Sequence, residues 1–171
     1  AGGMAFGSTL LDSCEVRPDS PDARFCRTTT PWSAGTQVKL SGFVPLPWNL
    51  RASGTYTNIA GIPTTASLVV NNALAAPSLG RPLSGGANAT RTVELIEPNA
   101  IYTEGRNTQV NFRLTRRFQL GRMRVEPQLD VFNAFNANQV LVMNARYGSS
   151  WQNVTGVLAP RLFKFGVQVN F

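Results

Sequence analysis

The amino-acid sequence predicts an all-β protein built on an antiparallel, up-and-down sheet of about six strands. Three observations lead to this fold class: apolar and polar residues alternate strictly in several segments, Gly and Pro are frequent at 15 and 11 of 171 residues, and Lys39 and Lys164 are the only lysines. Alternation with a period of two is the pattern of a strand with one apolar face. The composition differs from that of helical bundles and coiled coils, which are rich in Ala, Glu, Lys and Leu.

The predicted strands lie, in chain order, near residues 1–10, 36–44, 48–58, 107–118, 123–134 and 161–171. The pattern is weakest at 1–10 and clearest at 161–171, where every second residue is apolar. The apolar positions of this last strand are Phe163, Phe165, Val167, Val169 and Phe171. Polar residues or glycine stand between them, so we expect one face of the strand to be apolar and the other polar.

Charged residues share one predicted face of the strands at 107–118 and 123–134. Glu126 and Asp130 are four residues apart, and we expect them to meet Arg113 and Arg117 in a cross-strand charge ladder. Pro127 lies between the two acids and fits this strand least well, because a proline removes one hydrogen bond from the ladder unless it falls at a bulge.

The connections between the predicted strands alternate between long and short. Tight turns are expected at Pro45-Leu46-Pro47 and at Gln119-Leu120-Gly121-Arg122, and long loops at 11–35, 59–106 and 135–160. Loops beyond about 12–15 residues are uncommon in compact soluble domains, and here all three would lie at the same end of the strands. Short turns at one end and long loops at the other are typical of outer-membrane barrels.

The length of the strands and the places of the aromatic residues agree with a membrane barrel. The 11 residues of 161–171 span roughly 36 Å, and a tilt of about 40° reduces this to roughly 28 Å, close to the apolar band of about 25 Å. Trp48 and Phe118 lie at the turn end of their strands and Tyr56 near the loop end. The alternative is a soluble antiparallel β-sandwich or adhesin-like module, whose apolar face would cover a core.

The basic charge of the chain raises the possibility of nucleic-acid binding. The net charge is +7 and the pI is about 10.4, which is the range of nucleic-acid-binding domains. The basic residues are nevertheless spread thinly along the chain, so we expect no nucleic-acid partner. Binding of single-stranded nucleic acid is the third possible function, after the barrel and the soluble sandwich.

The sequence contains no pattern for catalysis. It has no histidine, which excludes Ser-His-Asp and Cys-His catalysis and histidine metal ligands, and two cysteines are too few for a four-thiolate zinc site. We therefore expect that the protein is not an enzyme and that it has no catalytic residue, metal site or cofactor. The longest uninterrupted apolar run has four residues, far fewer than the roughly 20 of a membrane-spanning helix.

Cys14 and Cys26 are 12 residues apart, a spacing that suits a disulfide closing a surface loop in an oxidising compartment. The same loop contains four carboxylates, Asp12, Glu15, Asp19 and Asp22. Carboxylates are calcium ligands, but the spacing of these four does not match that of an EF-hand loop. A solvated acidic loop is therefore the preferred interpretation.

Three segments carry a resemblance to one protein family. The last strand, ending Phe-Gly-Val-Gln-Val-Asn-Phe171, resembles the C-terminal signal by which outer-membrane barrels are recognised for insertion. The stretch Asp130-Val131-Phe132-Asn133-Ala134-Phe135-Asn136 resembles the penultimate-strand motif of TonB-dependent receptors. Tyr147-Gly148 and Ala159-Pro160-Arg161 resemble the Oar-like branch of these receptors.

The resemblance implies that residues 1–171 are the C-terminal portion of a larger barrel domain of about 22 strands, in the bacterial outer membrane. It implies uptake of a scarce nutrient, such as a metal chelate, a carbohydrate or a peptide, driven by TonB. The expected partners are outer-membrane lipid, TonB, the barrel-assembly machinery and the small nutrient ligand. Candidate ligand contacts in the lumen are the 59–106 loop and Arg51, Arg113 and Arg117.

Overall fold

The computed structural model describes residues 1–15, 24–103 and 105–171. In these residues the chain forms thirteen strands and two short α-helices. In chain order the elements are β1 (Gly2–Ala5), β2 (Thr9–Asp12), β3 (Arg27–Thr30), α1 (Trp32–Gly35), β4 (Gln37–Leu46), β5 (Leu50–Ile59), β6 (Ser67–Asn71), α2 (Asn72–Leu79), β7 (Thr90–Glu94), β8 (Asn107–Arg116), β9 (Phe118–Leu120), β10 (Met123–Phe132), β11 (Val140–Met143), β12 (Val154–Val157) and β13 (Leu162–Asn170).

One antiparallel sheet dominates the fold. Its strand order is β1-β4-β5-β8-β10-β13, with β9 next to β10, so the long strands pair in the order in which they follow one another along the chain. The prediction of an all-β, antiparallel, up-and-down sheet is confirmed. Within the described residues no sheet closes on itself, and β1 and β13 are the outer strands.

The register of this sheet separates its side chains into two faces. Residues directly opposite one another in paired strands share a face, as do Leu114, Leu129 and Phe165 on three neighbouring strands. We call this side the apolar face; its members on the five long strands are Val38, Leu40, Gly42, Val44, Leu46, Leu50, Ala52, Gly54, Tyr56, Asn58, Thr108, Val110, Phe112, Leu114, Arg116, Met123, Val125, Pro127, Leu129, Val131, Phe163, Phe165, Val167 and Val169. The opposite side is the polar face.

The two tight turns lie at one end of the sheet, one of them later than expected. Leu46 pairs with Leu50, so the first turn is formed by residues 47–49 and the expected turn at Pro45-Leu46-Pro47 is wrong. Trp48 and Asn49 take left-handed φ values of 61° and 57° there. Because β1 pairs only with Gln37–Leu40 of β4, Pro45 lies on an edge, where strands tolerate proline. The second turn lies inside the predicted segment, with Gly121 at a φ of 63°.

Pro127 explains the division of the predicted strand 107–118 into β8 and β9. Gln128 pairs with Thr115 on one side of the break and Val125 with Phe118 on the other, so the register is the same before and after it. Pro127 stands between these pairs without an N–H to donate, whereas its pairing with Val167 of β13 belongs to an unbroken ladder. The proline thus interrupts one ladder and leaves the neighbouring one intact.

The segment at 1–10 and the three long loops differ from the prediction because they contain further secondary structure. Residues 1–10 hold β1 and the start of β2 rather than one strand. The loop at 11–35 contains β3 paired with β2, the loop at 59–106 contains the hairpin of β6 and β7 with α2 between them, and the loop at 135–160 contains the hairpin of β11 and β12. These strands have only four or five residues, too few for alternation to identify them.

The loops at 59–106 and 135–160 contact each other. The backbone N–H of Ser67 donates to the carbonyl of Ala145, and that of Tyr147 donates to the carbonyl of Ser67, both at 2.8 Å. The indole Nε1 of Trp151 donates to the carbonyl of Thr65 at 3.0 Å. These hydrogen bonds join the two loops at the end of the sheet opposite to the tight turns.

The described residues contain almost no apolar core. Ala66, in the contact between the loops, is the one buried hydrophobic residue among them, while Phe165 and Val167 on the apolar face are 79% and 65% exposed. The chain exposes 11858 Å², whereas a compact monomer of 18.5 kDa exposes roughly 8,200 Å². No described segment therefore covers the apolar face. Neither described helix is long and apolar enough to cross a membrane.

We expect the 171-residue chain to self-associate in water. The uncovered apolar face and the unpaired outer edges of β4 and β13 both favour association. Sedimentation velocity without detergent should show aggregates or edge-paired oligomers, and detergent above its critical micelle concentration should reduce them. A monodisperse monomer with a cooperative thermal transition in plain buffer would contradict this expectation and favour the soluble sandwich.

Candidate functional site

The polar face contains a hollow of about 600 Å³. Four neighbouring strands, β4, β5, β8 and β10, contribute its hydroxyl, amide and charged groups, and Phe43 and Phe132 also line it. The polar side chains in its lining are Ser41, Ser53, Thr55, Asn111, Arg113 and Asp130. A hollow with these groups offers donors and acceptors for a polar ligand and two aromatic surfaces.

The central charged group of this hollow is a paired carboxylate. Arg113 Nε and Nη2 donate to the two carboxylate oxygens of Asp130 at 2.5 and 3.1 Å. The side chain of Asp130 is 3% exposed and that of Arg113 is 49% exposed. Lys164 lies opposite Asp130 on β13, so a line of alternating charge crosses three strands. The predicted pairing of Arg113 with Asp130 is confirmed.

Arg117 and Arg51 also lie on the polar face, each with its own partner. Arg117 Nε donates to Glu126 at 2.8 Å, which completes the predicted charge ladder. The guanidinium of Arg51 lies 5.5 Å from the centre of the Phe43 ring. In the described part of the chain, Arg51 is the one of the three candidate arginines that forms no ion pair with a carboxylate, so no carboxylate neutralises its charge there.

Asn133 organises the loop end of β10, a role that the alternation of residues did not reveal. Its Nδ2 donates to the carbonyls of Ala137 and Ala159, both at 2.8 Å, and its Oδ1 accepts from the N–H of Ala137 at 2.9 Å. The residue is 2% exposed and has a φ of 48°, which ends the strand at Phe132. Asn136 continues the connection by accepting from the N–H of Arg161 at 2.9 Å.

These contacts give the segment Asp130–Asn136 a structural explanation. Asp130 binds the neighbouring strand, and the two asparagines hold the start of β13 against the end of β10. The repeated asparagine was a signal for this role, because Asn tolerates left-handed φ values and bonds nearby backbone groups.

Arg106 forms a second cluster at the same end of the sheet, and sequence analysis did not single it out. Its Nε donates to Asn58 Oδ1 at 2.5 Å and its Nη1 donates to the carbonyl of Ser33 at 2.7 Å. Its Nη2 donates to the carbonyl of Thr36. Arg106 therefore ties the start of β4 to the end of β5, just before β8 begins.

Cys14 and Cys26 form the predicted disulfide, with their Cα atoms 4.7 Å apart. It closes the hairpin of β2 and β3 beyond the pair of Asp12 with Arg27. The carboxylate of Asp12 lies 3.9 Å from Arg27 Nε and accepts from the N–H of Cys14 at 3.2 Å. Two of the four acids predicted for this loop, Asp19 and Asp22, lie outside the described residues.

Four of the five residues of the expected assembly signal lie on the apolar face, and the fifth, Phe171, follows the end of β13. Phe163, Phe165, Val167 and Val169 pair with β10 on that face, and Phe171 follows the strand with 94% exposure. They lie on the opposite side of the sheet from Arg51, Arg113 and Arg117. Comparison of the chain with protein-family models, curated proteins and solved structures gives no match.

We expect Arg113→Ala to destabilise the fold more than Arg117→Ala. Removing Arg113 leaves the buried Asp130 without its charged donor, which costs about 2 kcal/mol, whereas the Arg117 pair is more exposed and contributes under about 1 kcal/mol. The measurement is urea unfolding in detergent micelles, followed by tryptophan fluorescence. Equal losses of unfolding free energy in the two variants would contradict the expectation that the burial of Asp130 makes its ion pair the more important one.

We expect Asn133→Ala to lower the free energy of unfolding by about 3 kcal/mol, since it removes the three side-chain hydrogen bonds of a buried residue and leaves an alanine at a left-handed φ. Asn99→Ala is the matched control, because Asn99 has a φ of 61° without comparable side-chain bonds among the described residues. It should cost about 1 kcal/mol. Urea unfolding of both variants isolates the effect of the hydrogen bonds, and indistinguishable losses would refute it.

Proposed function

We propose that this chain forms part of the wall of an outer-membrane β-barrel, in a TonB-dependent transporter that takes up a scarce nutrient. The observation that carries the proposal is the separation of the main sheet into an uncovered apolar face and a polar face with paired charges. Lipid covers the first in such a wall, and a wet lumen lies against the second.

The distribution of polar groups on the apolar face supports contact with a bilayer. Along β8 the polar residues Thr108 and Arg116 stand at the two ends, and Val110, Phe112 and Leu114 lie between them. The eight steps from Thr108 to Arg116 correspond to roughly 27 Å, or roughly 21 Å across a membrane for a strand tilted by about 40°. Tyr56 and Asn58 on β5 lie at the same end as Thr108.

The open edges of the sheet support membership in a larger barrel. The outer edge of β13 and that of β4 beyond Leu40 present backbone N–H and C=O groups, and lipid cannot satisfy such groups. Natural membrane barrels have at least about eight strands, so further strands are needed at both edges. The resemblance of the segments between Asp130 and Phe171 to TonB-dependent receptors implies about 22 strands and a role of the apolar residues of β13 in assembly.

The polar hollow and the joined loops support a role in ligand passage. In the proposed wall the hollow with Arg113 and Asp130 faces the lumen, and the loops at 59–106 and 135–160 stand at the extracellular end. Because Arg113 is paired with Asp130, the other polar side chains that line the hollow are hydroxyl and amide groups, with aromatic rings beside them. A metal chelate, a carbohydrate or a peptide suits such a lumen.

The rival function, a soluble sandwich or adhesin-like module, requires a second layer over the apolar face. In the residues that the structure describes, the hairpins of the loops lie at the loop end, and the side chains of β13 stay exposed. The two functions therefore differ in what covers Val167 and Val169.

We expect alternate residues of β13 to differ in their contact with lipid. Single cysteines at Val167 and Val169, introduced into the full-length protein in cells, should react with lipid-soluble maleimides. Cysteines at Gln168 and Asn170 should react with water-soluble ones, because the period of a strand is two. The native cysteines are joined in a disulfide, so they do not contribute to labelling of the oxidised protein.

The neighbouring residues serve as controls for each other, since each pair shares a strand and a membrane depth. Equal labelling of all four positions by the water-soluble reagent would contradict the barrel wall. The reverse order would show that the two faces have been assigned to the wrong sides.

A further inference from the structure

Arg116 is the one charged residue on the apolar face of the described main sheet. On one side Arg116 lies opposite Leu50 of β5. On the other side the register, which is the same before and after Pro127, places it opposite that proline of β10. Its neighbour Arg117 points to the polar face, where Glu126 binds it. Two adjacent arginines thus lie on opposite faces, and among the described residues only Arg117 forms an ion pair with an acid.

In the described part of the chain, the contacts of Arg116 include a ring but no ion pair with a carboxylate. The guanidinium lies 4.7 Å from the centre of the Phe118 ring, two residues nearer to the turn, and no described acid forms an ion pair with it. A cation against an apolar surface requires an anionic partner or a path to water. A cation–π contact contributes only part of what a full counter-charge does.

A groove of about 540 Å³ is lined by Arg116 at one end and otherwise mainly by apolar residues. Leu114, Leu129, Phe165 and Val167 contribute side chains from three neighbouring strands to its lining. A single cation therefore borders a groove lined by hydrocarbon. This combination matches a molecule with an anionic head and an apolar chain.

We propose that Arg116 and this groove bind one anionic phospholipid, with the headgroup phosphate at the guanidinium and an acyl chain along the groove. The proposal rests on the proposed function, because it needs the apolar face to lie in a bilayer. Arg116 stands at the end of the sheet with the tight turns, so the lipid belongs to the leaflet on that side. A long arginine side chain near a membrane boundary reaches the headgroup layer in this way.

The test is native mass spectrometry of the full-length protein in detergent, titrated with phosphatidylglycerol or with phosphatidylcholine of the same acyl chains. The wild type should bind phosphatidylglycerol about tenfold more tightly, and Arg116→Gln should remove this preference. Arg117→Gln is the matched control and should keep it, because Arg117 lies on the other face. Leu114→Trp, which fills the groove, should weaken binding of both lipids.

Equal binding of the two lipids by the wild type overturns the proposal, and so does a preference that survives Arg116→Gln. Inorganic phosphate separates a lipid from a free anion: displacement of the phospholipid by millimolar phosphate would show an anion site without a role for the acyl chain. The wild-type comparison decides the matter even if a variant does not fold.

Cysteine labelling at Val167 and Gln168 in the same protein distinguishes the two possible failures. Alternate labelling without a lipid preference refutes the phospholipid site and leaves the barrel wall standing. Loss of alternate labelling refutes both, since the groove would then face no bilayer.

Discussion

The backbone ladder on both sides of β10 is the constraint on which the rest of the sheet depends. It sets a register in which Asp130 lies opposite Arg113 on one side and Lys164 on the other. Because side chains alternate along a strand, a slip of one residue would turn the acid towards the apolar face and Leu129 towards the polar face. The carboxylate of Asp130 is nearly buried and accepts two hydrogen bonds from Arg113, so such a slip would be costly. The charge pairing therefore stabilises the same register that separates the two faces.

The loop end of the sheet is held by polar side chains rather than by an apolar core. Asn133 and Arg106 each bond backbone carbonyls from distant segments, and Asn58 donates to Thr108 Oγ1 at 2.6 Å between them. Buried or half-buried backbone groups need such partners wherever regular pairing stops. The long loops then continue as hairpins of their own and meet at Ser67, next to the buried Ala66.

The absence of an apolar core in the described residues links the fold to its proposed environment. A soluble protein of this size gains most of its stability from burial of apolar surface, whereas here the largest apolar surface faces outward. In a bilayer, lipid covers that surface and the hydrogen-bonded ladders hold the strands together. The proposed phospholipid site depends on the same bilayer, because Arg116 lies on the apolar face at the end with the tight turns, opposite Leu50.

Although the short strands in the loops escaped prediction, the sequence was enough to predict the five long strands, their order, their two faces, the charge ladder and the disulfide. Each of these follows from local spacing: alternation with a period of two, charges four residues apart on neighbouring strands, and two cysteines separated by a short loop. The position of the first turn became clear only from the strand pairing, because Pro45 remains in β4 at an unpaired edge and Leu46 pairs with Leu50. Only the tertiary structure decided which asparagines and arginines act as connectors, since Asn133 bonds a carbonyl 26 residues away and Arg106 one 73 residues away. Alternation already places Arg116 and Arg117 on opposite faces, and the register adds that Arg116 lies opposite Leu50 of the neighbouring strand.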